Sequence, residues 1–355
     1  MSPPRGDVPQ VGRLPSGPRA SLADVAGVTV GHATLATGDL QTGVTVVRPH
    51  ATDVFAQKVP AAAVIINGFG KSVGLIQVNE LGVMETPIAL TNTFSVNTVA
   101  TAQIRAAIAA HPEIARETTS VNPLVFECSD AYLSDMQALA IEEAHYLQAL
   151  EAATPHFQRG AVGAGRGMSC FGLKGGIGSA SRRARAAGRD YLLGALVLAN
   201  FGRLESLVVA GRHIGPRLAQ RIAAREAERD QGSIIVVLAT DAPLDHRQLR
   251  RVAMRAAAGI GRTGGYYGHG SGDIALAFST AASVPHAPAE PVTSRAVLAE
   301  ALLESLFEAA AEATEQAILD ALFQAETVTG FRGHTRHALT DVAPDWRDLA
   351  SPASR

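Results

Sequence analysis

Cysteine is scarce: Cys128 and Cys170 are the only two in 355 residues. That excludes a disulfide framework and any Cys-rich zinc site. Charge is scarce too, at 18% of residues, against about a quarter in an average globular chain. Neither sign dominates: 31 Lys and Arg stand against 33 Asp and Glu, a formal net charge of −2. Nucleic-acid binders carry a basic excess, so no nucleic acid is expected as a partner. A bilayer-spanning run is also missing. The longest apolar stretch, about Tyr191 to Phe201, is interrupted by Gly194 and closed by Asn200. The opening MSPPRGDVPQVGRLPSGPRA lacks an apolar signal segment and is rich in Pro, Gly and Arg. Residues 1–20 therefore read as a mobile tail ahead of one domain over 21–355, and the protein reads as soluble and cytoplasmic, with no membrane partner.

What is abundant is apolar aliphatic content. At 47% hydrophobic residues the chain can bury a large core. With 5% aromatics and 34 glycines, that core must rely on Ala, Val, Leu and Ile and on close backbone approach. VAGVTVGHATL and TGVTVVRP alternate as a β-hairpin does. AAAVIIN, LLGALVLANF and SIIVVLAT are continuous apolar runs, the signature of strands covered on both faces. Helices are expected over Val99–Ala110, from a capping box at Ser134 and Gln137 to about Ala152, over Pro216–Arg229, from Pro243 to about Ala258, and over Val297–Glu326. Val284–Thr293, with three prolines, reads as a linker. Strands interleaved with helices imply a layered α/β or α+β fold.

Three tempting motifs fail. Gly259-Ile-Gly261-Arg-Thr-Gly264 fits G-x-G-x-x-G but follows a helix, where a dinucleotide fingerprint follows a strand; it reads as a helix stop and a glycine turn. Gly70-Lys71-Ser72 resembles the end of a phosphate loop, yet the required upstream glycine is Ile65. The eleven histidines offer no H-E-x-x-H and no paired ligand spacing.

The unusual junction is Asp230-Gln231-Gly232-Ser233-Ile234-Ile235, where a charged helix runs through Gly-Ser straight into a buried strand. One reading is a tight turn with Gly at the helix C-terminus. The other is self-cleavage of the Gly232–Ser233 bond. Ser233 would then carry both a hydroxyl nucleophile and a free α-amine of pKa about 7.7–8.0, able to act as its base. Glycine before the serine would allow the strained backbone that attack on its own carbonyl needs. Ser271 and Asp273, two apart ahead of IALAFSTA, would share a strand face, and Asp273 could orient the Ser271 hydroxyl, or simply sit at a strand edge. Asn200, closing a strand, is a candidate oxyanion donor, or an ordinary turn residue. Glu127 could receive a substrate ammonium and Tyr132 donate to an oxyanion, unless they form an ordinary cap region.

Together these pieces resemble the DmpA/BapA-type family of self-processing serine aminopeptidases, the L-aminopeptidase/D-esterase-amidases and β-peptidyl aminopeptidases. The resemblance rests on DVAGVTVGHAT, TGVTVV, PIALTNTFSV, KGGIGSASR, LVLANFG, GSIIVVLATDAPL, GSGDIALAFSTA and AETVTGFRGHT, from about Asp24 to His334. It implies a four-layer αββα sandwich, like the N-terminal nucleophile hydrolases but differently connected. It implies a zymogen cut into an α chain, 1–232, and a β chain, 233–355. Ser233 matches the nucleophile, Ser271 and Asp273 its serine and acidic partners, Asn200 and Tyr132 the oxyanion donors, and Glu127 the amine-binding carboxylate. No metal or organic cofactor is implied, and a homotetramer is. The substrates implied are small peptides, amides or esters with a free amine. Many members carry Trp where Ser129 stands and Asn where Ser134 stands, so a smaller side chain at 129 would open the pocket wall. An acyltransferase of related fold, or an unprocessed, non-catalytic protein that binds small amines, are the rival readings; serine rather than threonine at 233 favours the hydrolase.

Overall fold

The structure, a computed structural model, describes residues 8–222 and 232–349. Alternating Thr and Val build the expected hairpin, Thr29–Thr37 against Leu40–Arg48, with Thr37 opposite Leu40. Gly38 in its tight loop has φ 54°, the left-handed region that glycine enters most cheaply. Ile88–Asn92 and Val125–Cys128 extend the hairpin into a four-stranded sheet.

The three apolar runs become central strands of a second, seven-stranded sheet. Its order is Val284–Pro285, Gln57–Gly68, Gly272–Ser279, Ser233–Thr240, Arg189–Asn200, Gly176–Ala186, with Val83–Met84 also beside Gln57–Gly68. Only Ser233–Thr240 and Gly272–Ser279 run parallel; their neighbours are antiparallel. Ile235, Val237 and Leu276 face Val47, Leu90 and Phe126 in a core between the sheets. Ile234, Val236 and Leu238 face the other way, into a core with Ile318, Leu319 and Leu322 of the Glu304–Gln324 helix. On the far side, Val44, Val46 and Ala89 pack beneath Val99 of the Val96–Ala110 helix and Tyr146 of the Glu143–Glu151 helix. This is the αββα sandwich: strands covered on both faces read as unbroken apolar runs because neither face meets water.

Gly176–Ala186 carries no apolar run, yet it is a full strand. Glycine and serine suit it because the Glu304–Gln324 helix lies almost on its backbone. A Cβ at Gly178 would sit 1.9 Å from Ala317 O, and Ser179 N donates to the buried Asp320 Oδ2 at 2.9 Å.

Several expectations need correction. From residue 8 on, the N-terminal stretch is not a free tail. Val11 is buried, its N–H donates to Gln316 Oε1 at 2.9 Å, and its carbonyl accepts from the buried Arg182 Nη2 at 2.6 Å. Arg13 N and Leu14 N donate to Glu312 at 2.8 and 3.0 Å. Buried Arg182 and Glu312 need partners, and Pro-rich composition does not reveal such a need. Ser134 caps no helix; its hydroxyl accepts from Gln41 N at 3.0 Å, and the helix beyond starts only at Glu143, capped by Glu142. Asp245, not Pro243, marks the next helix start. That helix, His246–Met254, gives way to a second, Ala256–Arg262, which contains Gly259 and Gly261. Of the expected Pro216–Arg229 helix, the structure shows Gly215–Arg221, capped by Ile222, and residues 223–229 lie outside the described residues. The long C-terminal helix is Glu304–Gln324, after a 3-10 turn at Glu300–Leu302.

His32, on the first strand, gives the fold a pH dependence. His32 Nε2 donates to Gln158 O at 3.0 Å, which makes Nδ1 of the neutral ring an acceptor, and the Thr45 hydroxyl, 2.9 Å away, donates to it while accepting from Ala164 N at 3.1 Å. Burial lowers its pKa to about 4, against the Gln158 hydrogen bond, which raises it. Below the unfolded value of about 6.5 the unfolded chain takes up a proton that the folded chain refuses, so stability falls as pH drops toward 4. The expected loss is at most about 1.4 kcal/mol per pH unit. Urea denaturation at pH 7 and pH 4.5 should show a smaller difference for His32→Gln than for the wild type; equal differences would refute this.

Candidate active site

Ser233 opens its strand on the face that Ile235 and Val237 present to the intersheet core. It is 5% exposed, and its Oγ accepts from the Gly272 N–H at 3.1 Å. A backbone N–H, not an imidazole, stands beside this hydroxyl. Antiparallel register sets Asn200 opposite Ser233, and parallel register sets Asp273 opposite Ile234. Gly232 is there for space rather than for a left-handed φ: a Cβ on it would lie 1.9 Å from Asn200 O and 2.6 Å from Phe201 Cα.

Ser271 Oγ donates to Asp273 Oδ1 at 2.6 Å, both residues being buried. The loop that carries them is pinned by Asn67, whose Nδ2 donates to Gly268 O at 2.9 Å and Ser271 O at 2.5 Å. A bulge follows, the register stepping from Asn67 opposite Asp273 to Ile65 opposite Ile274. The Ser271–Asp273 pair therefore flanks the Gly272 N–H that holds Ser233, one residue to either side.

Asn200 is nearly buried, and its Oδ1 accepts from Ser169 N at 2.8 Å. That bond fixes the amide so that Nδ2 is the end with hydrogens to offer. Glu127, 3% exposed, ends the outer sheet: Lys71 N donates to its Oε1 at 2.8 Å and Thr93 Oγ1 to its Oε2. Gly70 links the two sheets here. A Cβ on it would lie 3.7 Å from Glu127 Oε1 and 3.9 Å from Gly272 Cα. Next to Glu127, the Cys128 thiol donates to Ser233 O at 3.4 Å. Burial pushes that thiol well up, and Glu127, Asp273 and Asp130 push it further, so it stays protonated and inert as a nucleophile.

Tyr132 makes its recorded ring contacts with residues outside this group. Its ring stacks on His334 at 4.6 Å and lies 3.7 Å from the Arg336 guanidinium. His334 Nδ1 is 2.8 Å from Tyr132 O. Thus the structure gathers Ser233, Ser271, Asp273, Asn200 and Glu127 about one strand edge, whereas the contacts of Tyr132 run to His334 and Arg336. Sequence reasoning missed the Gly272, Lys71 and Ser169 N–H groups, which are backbone donors and leave no residue signature. It also missed Thr93, within PIALTNTFSV, and Arg336, just past the last shared motif.

The match to peptidase family S58 runs over residues 20–336. A β-peptidyl aminopeptidase, BapA, of Sphingosinicella microcystinivorans is 38% identical over 341 residues, covering 90% of this chain and 85% of that protein. A solved protein of Pyrococcus horikoshii OT3 superposes with a TM-score of 0.89 at 44% identity, over 96% of this chain and 95% of that one. The L-aminopeptidase D-Ala-esterase/amidase of Ochrobactrum anthropi, a serine aminopeptidase with a variant N-terminal nucleophile hydrolase fold, superposes with a TM-score of 0.85 at 32% identity, over 95% and 98%. The chain belongs to peptidase family S58 and is a serine-type aminopeptidase of the N-terminal nucleophile class.

Proposed function

We propose that the chain is a zymogen that cuts its own Gly232–Ser233 bond, and that the freed Ser233 removes N-terminal residues from small peptides, amides or esters bearing a free amine. The observation that carries this reading is the junction itself: a side-chain-free residue wedged against Asn200 O, followed by a buried serine hydroxyl held by the Gly272 N–H.

In the mature enzyme Ser233 Oγ attacks the substrate carbonyl carbon and its proton passes to the Ser233 α-amine. An unperturbed α-amine titrates at about 7.7–8.0, so near neutral pH it can accept a proton without a histidine. The tetrahedral intermediate expels the leaving amine or alcohol, which takes that proton, and an acyl ester on Ser233 remains. Water, deprotonated by the same amine, releases the acid. The Ser271–Asp273 pair orients the amine end of Ser233, and the Asn200 Nδ2 and the Tyr132 hydroxyl donate to the oxyanion. The Glu127 carboxylate, already held by the Lys71 N–H and the Thr93 hydroxyl, receives the substrate ammonium. A carboxylate fixed in this way selects for the substrate's amine. A cytoplasmic homotetramer completes the reading. Ile76 and Leu81, 89% and 60% exposed on the Leu75–Leu81 helix, support a second copy covering that surface.

Intact mass of purified wild type is expected to give two polypeptides, the smaller beginning at Ser233, and Ser233→Ala a single full-length chain inactive on aminoacyl anilides. A two-chain Ser233→Ala protein would refute the assignment. Gly232→Ala is expected to slow or abolish maturation, since its methyl collides with backbone; maturation at the wild-type rate would argue against the junction. Glu127→Gln is expected to mature normally and to lose about tenfold to a hundredfold in kcat/KM, as a charge-assisted bond is worth about 1.5–3 kcal/mol. Unchanged kcat/KM in steady-state assays would remove Glu127 from the amine site.

A further inference from the structure

Ser169 stands between the two groups assigned to the oxyanion. Its N–H donates to Asn200 Oδ1 at 2.8 Å, and its hydroxyl accepts from Arg336 Nε at 3.1 Å. Arg336 also donates to Gly172 O at 3.4 Å, and its guanidinium lies 3.7 Å from the centroid of the Tyr132 ring. One short path thus joins Asn200 to Tyr132 through Ser169 and Arg336.

Ser169 in turn is paired across a two-residue ladder with Lys174. Lys174 is wholly buried, and its Nζ donates to Gly165 O at 2.9 Å, Met168 O at 2.8 Å and Gly175 O at 3.0 Å. Three carbonyl acceptors call for three N–H bonds, which only the ammonium has. Burial, and then Arg166, pull its pKa well down, while Glu326, Cys170 and Asp130 oppose them, and the three carbonyls replace the water the ammonium has lost. Met168 O additionally accepts from Gly175 N at 2.9 Å, which closes the 165–175 loop around the ammonium. A lysine buried at this cost, in a loop that bears directly on Asn200, does something a leucine would not.

We propose that Lys174, Ser169 and Arg336 are positioning residues for both oxyanion donors. The Lys174 ammonium acts as a built-in cation that gathers the loop carbonyls and sets Ser169, which then holds the Asn200 amide with its nitrogen turned to the reaction. Through its hydroxyl Ser169 also holds Arg336 against the face of Tyr132. The proposal rests on the reading of Asn200 and Tyr132 as oxyanion donors and adds what aims them.

The test uses mature enzyme, with active sites counted by the yield of the Ser233 N-terminus, on an aminoacyl anilide. Arg336 is partly exposed, so Arg336→Met is expected to fold and to lose about tenfold to a hundredfold in kcat while KM changes less than about twofold. Arg336→Lys is expected to recover part of the loss. Ser169→Ala removes only the hydroxyl, and combined with Arg336→Met it is expected to add little, since both break one path. Lys174→Met is expected to show the same kcat loss in whatever fraction matures. A purely structural role would instead lower melting temperature or yield and leave kcat per active site intact. Wild-type kcat in Arg336→Met and Ser169→Ala, or a change confined to KM, overturns the proposal. The wild type and Ser233→Ala run alongside: activity in Ser233→Ala would remove the functional reading and this proposal together, whereas an inactive Ser233→Ala with unaffected Arg336 and Ser169 variants removes this proposal alone.

Discussion

The site depends on one pairing: Ser233–Thr240 runs parallel to Gly272–Ser279 inside an otherwise antiparallel sheet. Parallel neighbours cannot be joined by a hairpin, so the chain returns through the His246–Met254 and Ala256–Arg262 helices. The result is that both strands begin at the same sheet edge. Arg189–Asn200, antiparallel to Ser233–Thr240, ends at that edge too. A first residue, a last residue and the Gly272 N–H therefore converge with no loop flexibility between them. Each strand is buried on both faces, so the Ser233 hydroxyl, its backbone donor and the Asn200 amide inherit the rigidity of the central sheet.

Around that edge the chain concentrates buried acid groups. Glu127, Asp130 and Asp273 all raise the neighbouring Cys128 thiol, and burial pushes Asp130 itself up to about 7. Such crowding is costly unless backbone donors or a cation compensate. For Glu127 the compensation is the Lys71 N–H and the Thr93 hydroxyl. On the proposed mechanism, a substrate ammonium bound at Glu127 would relieve part of that cost.

Legibility in the sequence followed the kind of force at work. The hairpin and the three apolar runs were readable because burial imposes a period, or its absence, on side chains. The Gly232–Ser233 junction drew attention because a glycine and a serine at the head of an apolar run are matters of residue type. Gly176–Ala186 was not, because its glycines and serines answer to a helix more than a hundred residues away, whose Ala317 carbonyl and Asp320 carboxylate dictate them. The packing of residues 8–20 was hidden for the same reason: Arg182 and Glu312 recruit it. The helix start near Ser134 was misread because a Ser-x-x-Gln pattern says nothing of the Gln41 N–H that claims the hydroxyl. In the site, side chains could be nominated from sequence, but the donors that hold them are backbone groups delivered by topology.

On the proposed mechanism, one set of groups at Gly232 serves two acyl transfers. In the uncut chain the carbonyl presented to Ser233 Oγ belongs to Gly232, and the strand end against which Gly232 packs is Asn200. On the proposed mechanism a substrate carbonyl later takes that place, with the same hydroxyl and the same amide acting on it. The α-amine differs between the two events, since in the first it is still bound up in the scissile peptide bond. Maturation must therefore proceed without the base that later turnover uses, and hydroxyl placement by the Gly272 N–H has to contribute proportionally more to it. On this mechanism self-cleavage is the step more sensitive to small shifts of that strand edge, and a Cβ at 232, 1.9 Å from Asn200 O, would force that edge apart.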